Sequence, residues 1–179
     1  VAEQVESFDF LKILCSKAHE EGIDVHAWFV VFCEGMKRLG GLLAKHPEYA
    51  MVNSSGGKIG WMCPSHEEVH EYLLTLFQEV LEGYDVDGLH LDYIRFPDAS
   101  ACFCPDCGQG GPLDEEWGVK GVGRVTGFVE KSHRLAREYG VVHSAAVFSD
   151  YPASMIHVRQ DWVDWVEKGL LDYVMPMSY

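Results

Sequence analysis

The sequence lacks a long hydrophobic run and a cluster of basic residues. No apolar stretch approaches the roughly 20 residues that a helix needs to cross a bilayer. Lysine and arginine together number 14, against 28 aspartates and glutamates, which gives a formal net charge of −14. A surface with that charge repels polyanions, so we do not expect nucleic acids or anionic membranes as partners. A neutral ligand such as a sugar is compatible with it.

The sequence also has no short repeat and no low-complexity segment, which excludes a coiled coil or a collagen-like chain. Aromatic residues are plentiful instead, with nine Phe, eight Tyr and five Trp among the 179 residues. They supply far more buriable surface than a disordered chain carries. We therefore expect one folded globular domain over residues 1–179.

Helical and strand patterns alternate along the chain. Amphipathic helices are predicted over about residues 6–21, 66–83, 123–139 and 159–168, and apolar strands over about 23–32, 86–96, 141–148 and 171–179. Strands that are separated by helices pair in parallel through right-handed crossovers. Because no glycine-rich phosphate loop follows any of these strands, the α/β pattern favours a TIM (β/α)8 barrel over a doubly wound sheet.

Four strands are only half of a TIM barrel, which needs about 200–250 residues or more. The sequence begins within a predicted helix and stops at the end of a predicted strand. We therefore expect residues 1–179 to form a partial catalytic-type barrel domain. It is then an internal piece of a larger barrel, or a half-barrel completed by a second copy of the chain as a homo-oligomer. A compact open sheet of four strands is the alternative.

The segment from Asp85 to Pro97 carries polar groups that a core strand does not need. Because side chains alternate between the two faces of a strand, His90 and Asp92 point the same way. In a barrel this face is the lumen, so we expect both groups near the mouth. Burying a charge without a use is costly, which favours a functional role. The alternative is that Asp92 merely pairs with Arg95 to close the top of the barrel.

The other predicted strands add candidate groups at the same end of the barrel. His26 and Trp28 share one face of the first strand, and an indole beside an imidazole and a carboxylate is typical of a pyranose site. A buried histidine and a packing tryptophan are the structural alternative. Asp150 follows the third strand and is a second candidate carboxylate. Tyr179 ends the fourth strand and is a candidate lining residue.

Three cysteines, Cys102, Cys104 and Cys107, form a C-x-C-x2-C motif. Three thiols within six residues are too crowded for ordinary disulfide pairing but suit a tetrahedral metal ion. Cys63, on the other long loop, is the best fourth ligand, and Cys33 is the reserve. We expect a structural zinc ion and no organic cofactor, because four cysteines leave no open position on the metal. Reduced or partly disulfide-bonded cysteines are the alternative.

Five segments stand in a recognisable order along the chain: His26-Ala-Trp28, His46-Pro-Glu48, Val86 to Pro97, Gln160-Asp-Trp162 and Leu171 to Tyr179. In these segments the chain resembles the glycosyl hydrolase-like family ten proteins. The resemblance implies a TIM barrel of which this chain holds roughly strands three to six. It also implies glycoside hydrolase activity, and a protein that is exported or attached to the cell envelope.

A second resemblance concerns the cysteines. His46-Pro-Glu48, Trp61-Met-Cys63 and the C-x-C-x2-C motif are similar to the zinc site of the family forty-two β-galactosidases, which have four cysteines on matching loops. By this resemblance Asp92 falls roughly where those enzymes keep their acid/base glutamate, although this sequence has Leu-Asp-Tyr and not Asn-Glu. In barrels of the α-galactosidase and α-amylase type an aspartate at this strand end is the nucleophile. Both roles are open for Asp92.

Together these features predict a glycoside hydrolase that cleaves a neutral or acetylated polysaccharide or oligosaccharide with two carboxyl groups. The expected catalytic residues are Asp92 and Asp150. The expected sugar-contacting residues are His26, Trp28, His90, Arg95 and Tyr179. One alternative is a barrel that binds a glycan without cleaving it. Another is a hydrolase whose catalytic metal ion is held by His26, His90 and Asp92.

Overall fold

The computed structural model describes residues 8–35, 38–108, 110 and 114–178. In chain order the elements are α1 (Phe10–Glu20), β1 (His26–Val30), α2 (Gly41–Lys45), a 3-10 turn (Pro47–Tyr49), β2 (Ala50–Val52), β3 (Lys58–Met62), α3 (Glu67–Gly83), β4 (Gly88–Asp92), α4 (Glu115–Tyr139), β5 (Val142–Phe148), α5 (Ala153–Val158), α6 (Trp162–Glu167) and β6 (Tyr173–Met177). None of the helices within these described ranges is long and apolar enough to span a membrane.

Four strands form one parallel sheet in the order β1-β4-β5-β6. The connections between successive strands of this sheet run through α3, α4, and α5 with α6. This is the repeating strand–helix arrangement of a β/α barrel. The predicted α/β architecture with four parallel strands is therefore confirmed.

The core lies between one face of the sheet and the long helices. Leu89 and Leu91 of β4 are fully buried. Phe29 of β1 packs on Phe77 of α3 with ring centroids 4.4 Å apart, and Phe77 in turn packs on Phe128 of α4 at 5.9 Å. Burying one complete apolar face in this way is the main favourable term in folding, and it leaves the opposite face for other uses.

Helix α4 starts at Glu115, earlier than the predicted range of 123–139. Asp114 caps it by accepting a hydrogen bond from the backbone N–H three residues on, at 3.0 Å. Glycines in the first half of the helix weaken the helical pattern in the sequence, because glycine has low helix propensity. One of them, Gly121, is buried.

The predicted range of 66–83 agrees with α3, whose N-cap residue, His66, makes no capping hydrogen bond. One predicted helix was wrong in its extent. The helix predicted over 159–168 is two short helices, since Arg159 has a φ of +62° and ends α5. Asp161 caps α6 by accepting a hydrogen bond from the backbone N–H of Asp164 at 3.4 Å.

The long connection after β1 contains a β2–β3 hairpin that the sequence did not reveal. The backbone N–H of Met62 donates to the carbonyl of Phe32 at 2.7 Å, and Trp61 bridges to Cys33. Strand β3 of the hairpin therefore pairs with the segment that directly follows β1, at the carboxyl end of that strand. Both strands are short and lack an alternating pattern, so local propensity does not identify them.

Candidate functional site

The predicted polar residues of the first two sheet strands share the face that the helices leave uncovered. The register pairs His26 with Gly88, Trp28 with His90, and Val30 with Asp92. Residues paired across parallel strands point to the same side, so His26, Trp28, His90 and Asp92 face one region. The Trp28 side chain is 65% exposed. A tryptophan so little used for packing is available as a platform for a ligand.

His90 is held by a hydroxyl group from the next strand. Its Nδ1 lies 2.9 Å from Oγ of Ser144, and that hydroxyl donates to the carbonyl of Leu89 at 3.4 Å. Burial lowers the pKa of His90, and neighbouring His26 adds to this, whereas Asp92 opposes it. His90 is therefore neutral at neutral pH. The bond to Ser144 favours the Nδ1–H tautomer, which leaves Nε2 as a hydrogen-bond acceptor.

Asp92 is the last residue of β4, and it is half-buried. Its Oδ1 accepts a hydrogen bond from the backbone N–H of Tyr93 at 2.7 Å. Tyr93 has a φ of +51°, in the left-handed region that bulky residues rarely adopt. Such a conformation costs on the order of 1–3 kcal/mol and persists only where the surrounding packing fixes it. The chain is thus strained directly beside this carboxylate.

Arg95 lies among three aromatic rings at the rim of the site. Its Cζ is 5.2 Å from the centroid of Trp61, 5.1 Å from that of Tyr93 and 4.9 Å from that of Phe148. Its Nη1 donates to the carbonyl of Phe96 at 3.0 Å. Cation–π contacts of this kind hold a guanidinium in place. The arginine therefore joins β3, β5 and the end of β4 into one rim, and sugar contact by Arg95 stays a prediction.

Of the two remaining predicted site residues, the structure describes only Asp150. Asp150 lies in the exposed turn between β5 and α5, at the same edge of the sheet as Asp92. Its backbone carbonyl accepts a hydrogen bond from Ser154 at 2.8 Å. Tyr179 lies outside the described residues. A catalytic role for Asp150 and sugar contact by Tyr179 therefore stay predictions.

Another carboxylate at this edge, Glu34, has a structural task. Its two oxygens accept hydrogen bonds from the backbone N–H groups of Leu42 and Leu43, both at 2.8 Å. These donors are the unpaired N–H groups at the start of α2. Glu34 therefore anchors α2 beneath the hairpin, and its carboxylate is already used.

The four predicted cysteine ligands come together at one point. Cys63, Cys102, Cys104 and Cys107 are buried, and their sulfur atoms all lie within 4.8 Å of one another. The Sγ of Cys63 is 3.7 Å from that of Cys104 and 3.4 Å from that of Cys107. A tetrahedral ion with Zn–S bonds of about 2.3 Å separates its sulfurs by roughly 3.8 Å. The cluster therefore has the size that a tetrahedral metal ion requires.

The chemistry of the cluster also fits a cation. None of the six cysteines of the chain forms a disulfide. The Sγ of Cys102 accepts backbone hydrogen bonds from Val52 at 3.3 Å and Cys104 at 3.4 Å, while hydrogen bonding with Cys104 and Cys107 raises the pKa of Cys102. Hydrogen bonding with Cys102 lowers the pKa of Cys104 and raises the pKa of Cys63. Buried thiolates at these distances need a positive partner, because uncompensated buried charge is costly.

Sequence reasoning missed the neighbours of both sites. Ser144, Trp61 and Tyr93 support the polar face, and Ser65 lies 3.0 Å from the sulfur of Cys63. His66 lies 3.7 Å from the carboxylate of Asp106 beside the cysteines. Trp61 and Tyr93 lie within segments that the sequence singled out, but nothing in those segments indicated that the two residues contact each other. Only the strand register could have indicated Ser144, since it pairs with His90.

The chain therefore forms part of a TIM barrel, with a carboxylate, imidazoles and an indole on the uncovered face of its parallel sheet. The chain belongs to the glycosyl hydrolase-like 10 family, whose sequence profile matches residues 2–103. A curated relative, glycosyl hydrolase DigH of Escherichia coli (strain K12), is 24% identical over 208 residues. That alignment covers 96% of this chain and 46% of DigH, so the chain spans less than half the length of this relative.

Solved structures show the same fold. The PgaB (BpsB) glycoside hydrolase domain of Bordetella bronchiseptica superposes with a TM-score of 0.67 at 14% identity, over 94% of this chain and 54% of that domain. The Group IV chitinase of Ostrinia furnacalis gives a TM-score of 0.58 at 15% identity, over 99% of this chain and 38% of the chitinase. These likenesses confirm the predicted partial TIM barrel, and the family match confirms the first resemblance.

Proposed function

We propose that the full-length protein is a glycoside hydrolase that cleaves a polysaccharide or oligosaccharide, with Asp92 as one of two catalytic carboxyl groups. The observation that carries the proposal is the position of Asp92 at the carboxyl end of a barrel strand. It shares its face with His26, His90 and the exposed indole of Trp28. Active sites of TIM barrels lie at this end. The family and the fold of its neighbours support the class of reaction.

Each group has a task that follows from its chemistry. Trp28 stacks against a sugar ring, because its indole is apolar and open. His26 and neutral His90 hydrogen-bond to sugar hydroxyls, and Arg95 contributes positive charge at the rim. Tyr179 is the remaining candidate for sugar contact. A negatively charged protein binds a neutral glycan without electrostatic penalty.

The reaction needs a second carboxyl group. We propose Asp150, which follows the neighbouring strand β5. One carboxyl group protonates the leaving oxygen, and the other attacks the anomeric carbon or activates a water molecule. Asp92 serves either task, since a carboxyl group at this strand end can act as the acid or as the nucleophile.

We further propose that Cys63, Cys102, Cys104 and Cys107 hold a structural zinc ion. A site closed by four thiolates keeps no position for substrate or water, so the ion supplies folding energy and no step of the reaction. It ties the hairpin that follows β1 to the loop that follows β4. Both segments rim the proposed active site.

The test is turnover by the full-length protein on a panel of aryl glycosides and glycans, with Asp92→Asn and Asp98→Asn beside the wild type. Asp98 is a matched control, because it lies on the same rim and its carboxylate accepts hydrogen bonds from Ser100. We expect Asp92→Asn to lower kcat by about 10³-fold, the usual contribution of a positioned acid or base. Asp98→Asn retains activity. Equal turnover by the two variants would contradict the proposal.

A second candidate function is a barrel that binds a glycan without cleaving it. It is favoured by one observation: Glu34, a carboxylate at the same edge, is already used as a helix anchor. Without a working partner, Asp92 would only hydrogen-bond to sugar. Calorimetric binding of a glycan that is never hydrolysed, reduced by Trp28→Ala, would identify this function.

A further inference from the structure

We propose that Trp61 is a positioning residue, which transmits the fixed position of the cysteine cluster to the carboxylate of Asp92. The inference rests on the proposed function, because it concerns how the proposed catalytic group is held. It is carried by a continuous set of contacts from the cluster to the strained backbone after β4.

The first contacts bind the hairpin to the cysteines on both of its strands. Cys63 directly follows β3 and is a member of the cluster. Val52 at the end of β2 donates its N–H to Sγ of Cys102 at 3.3 Å, and its carbonyl accepts the N–H of Phe103 at 2.8 Å. The β2–β3 hairpin therefore cannot shift relative to the cysteine loop while the cluster is intact.

The next contacts run from the hairpin to the end of β4. Trp61 lies two residues before Cys63, and it is only 6% exposed. Its ring centroid is 5.6 Å from that of Tyr93 and 5.2 Å from Cζ of Arg95. Its backbone is fixed from the other side by the bridge to Cys33. The indole is therefore held in place, and it contacts Tyr93 and Arg95, which both follow the end of β4.

The last contact reaches the carboxylate. Tyr93 donates its backbone N–H to Oδ1 of Asp92 at 2.7 Å while it has a φ of +51°. A tyrosine keeps that conformation only when its surroundings leave it no other. Trp61 and Arg95 supply those surroundings on the ring of Tyr93. Removing the indole allows Tyr93 to relax, and the N–H then leaves the carboxylate.

Trp61 has a different role from that of a sugar-binding tryptophan. A nearly buried indole offers no platform to a substrate, in contrast to Trp28. Its loss is therefore expected to lower kcat while KM stays nearly constant, because the ground-state contacts to the sugar remain. A merely structural role would instead lower the amount of folded protein and leave the kcat of the folded fraction unchanged.

The experiment compares Trp61→Phe and Trp61→Ala with Trp165→Phe in the full-length protein. Trp165 is the control, since it is also buried and its indole N–H donates to Oγ1 of Thr126 in α4 at 2.9 Å. Amide hydrogen exchange of the peptide covering residues 92–96 is measured together with bound zinc. We expect exchange in this peptide to rise about tenfold in Trp61→Ala, and less in Trp61→Phe, at unchanged zinc content. Trp165→Phe leaves that peptide unaffected.

Removing the metal with a chelator tests the other end of the same set of contacts. Exchange in the 92–96 peptide is expected to rise while a peptide from the central strand β5 stays protected. Unchanged exchange at 92–96 after chelation, or in both Trp61 variants, would overturn the inference. The exchange result does not depend on turnover, so an inactive wild type would contradict the proposed function but not the contacts of Trp61. A fall in kcat for Asp92→Asn with unaltered Trp61 variants would sink only the positioning role.

Discussion

Two aspartates at opposite ends of β4 show how neighbours decide the task of a carboxylate. Asp87, just before the strand, accepts hydrogen bonds from the backbone of Val25 at 2.6 Å and from Nε2 of His19 at 2.8 Å. These bonds lower the pKa of Asp87 and join α1 to the sheet. Asp92, at the other end, faces the uncovered side. The amino end of a barrel strand serves stability, and the carboxyl end serves function.

The His19–Asp87 pair predicts a pH dependence of stability. Hydrogen bonding to Asp87 raises the pKa of His19 above 6.5, so its contribution is complete below pH 6.5 and is lost as the pH rises through the raised value. The lowered pKa of Asp87 gives a contribution that is present above pH 3.8 and is lost on further acidification. The pair therefore stabilises most between about pH 4 and 6.5.

The measurement is urea unfolding of wild type and His19→Gln from pH 4 to pH 9. We expect the difference in unfolding free energy between the two proteins to be largest near pH 5 and to shrink toward pH 9. A difference that is constant across this range would show that the pair contributes no charge-dependent stability. His157→Gln, a change at another histidine, serves as the control.

At the residue scale, the sequence identifies polar residues within an otherwise apolar strand. It does not identify residues such as Ser144, whose place in the site depends on how the strands pair. His90 and Asp92 stand out within a core strand, and the structure places them on one face. His143 looks equally unusual, but it points to the helix side, where it hydrogen-bonds to the carbonyl of Leu170 at 2.7 Å. Its burial lowers its pKa to about 4, so it is a neutral core histidine. Residue type alone does not separate the two cases.

At the scale of elements, the cysteine cluster joins the β2–β3 hairpin to the loop that follows β4. Helices α3 and α4 pack through large buried side chains such as Phe77 and Phe128. The β2–β3 hairpin instead rests on the end of β1 and on the loop that contains Cys102. Met51 and Met62 of the hairpin are buried in the main core, and a metal ion in the cluster would add to that core, because an ion that binds only the folded state stabilises it.

This predicts the result of removing one ligand. Cys104→Ser is expected to abolish zinc binding and to lower the free energy of unfolding by about 4 kcal/mol, the linkage value for an ion present at roughly 1,000 times its dissociation constant. Cys33→Ser is the control, since Cys33 lies outside the cluster and forms no disulfide. Elemental analysis and thermal unfolding are the measurements. Zinc retained by Cys104→Ser, or lost from Cys33→Ser, would contradict the assignment.

Elements with a strong apolar stripe were predicted well, and those shaped by tertiary contacts were not. The range of α3 and the four sheet strands follow from periodicity. The hairpin, by contrast, exists because its backbone completes β1, and the break at Arg159 depends on a left-handed residue that periodicity cannot reveal. Local patterns encode burial on one face, but they do not encode which loop packs on which strand.

At the scale of the whole molecule, the described residues leave the proposed lumen side open. Trp28 is 65% exposed, Tyr173 59% and Met175 47%, and all three lie on the uncovered face. In a complete barrel, further strands close around this face. The chain spans 46% of DigH, and we therefore expect the remaining strands in the full-length protein to enclose the site. The half-barrel was predicted from the number of strands and the length of the chain. The sugar specificity could not be predicted, because it depends on loops that no strand pattern describes.

The most direct test of the central claim is a crystal structure of the full-length Asp92→Asn protein with an oligosaccharide bound. We predict that the substituted side chain at position 92 lies against the glycosidic bond, with the ring of Trp28 stacked on a sugar. We also predict a second carboxyl group about 5–10 Å from position 92, which is the separation that the two mechanisms use. A sugar bound elsewhere, or a side chain at position 92 that faces the helices, would contradict the account.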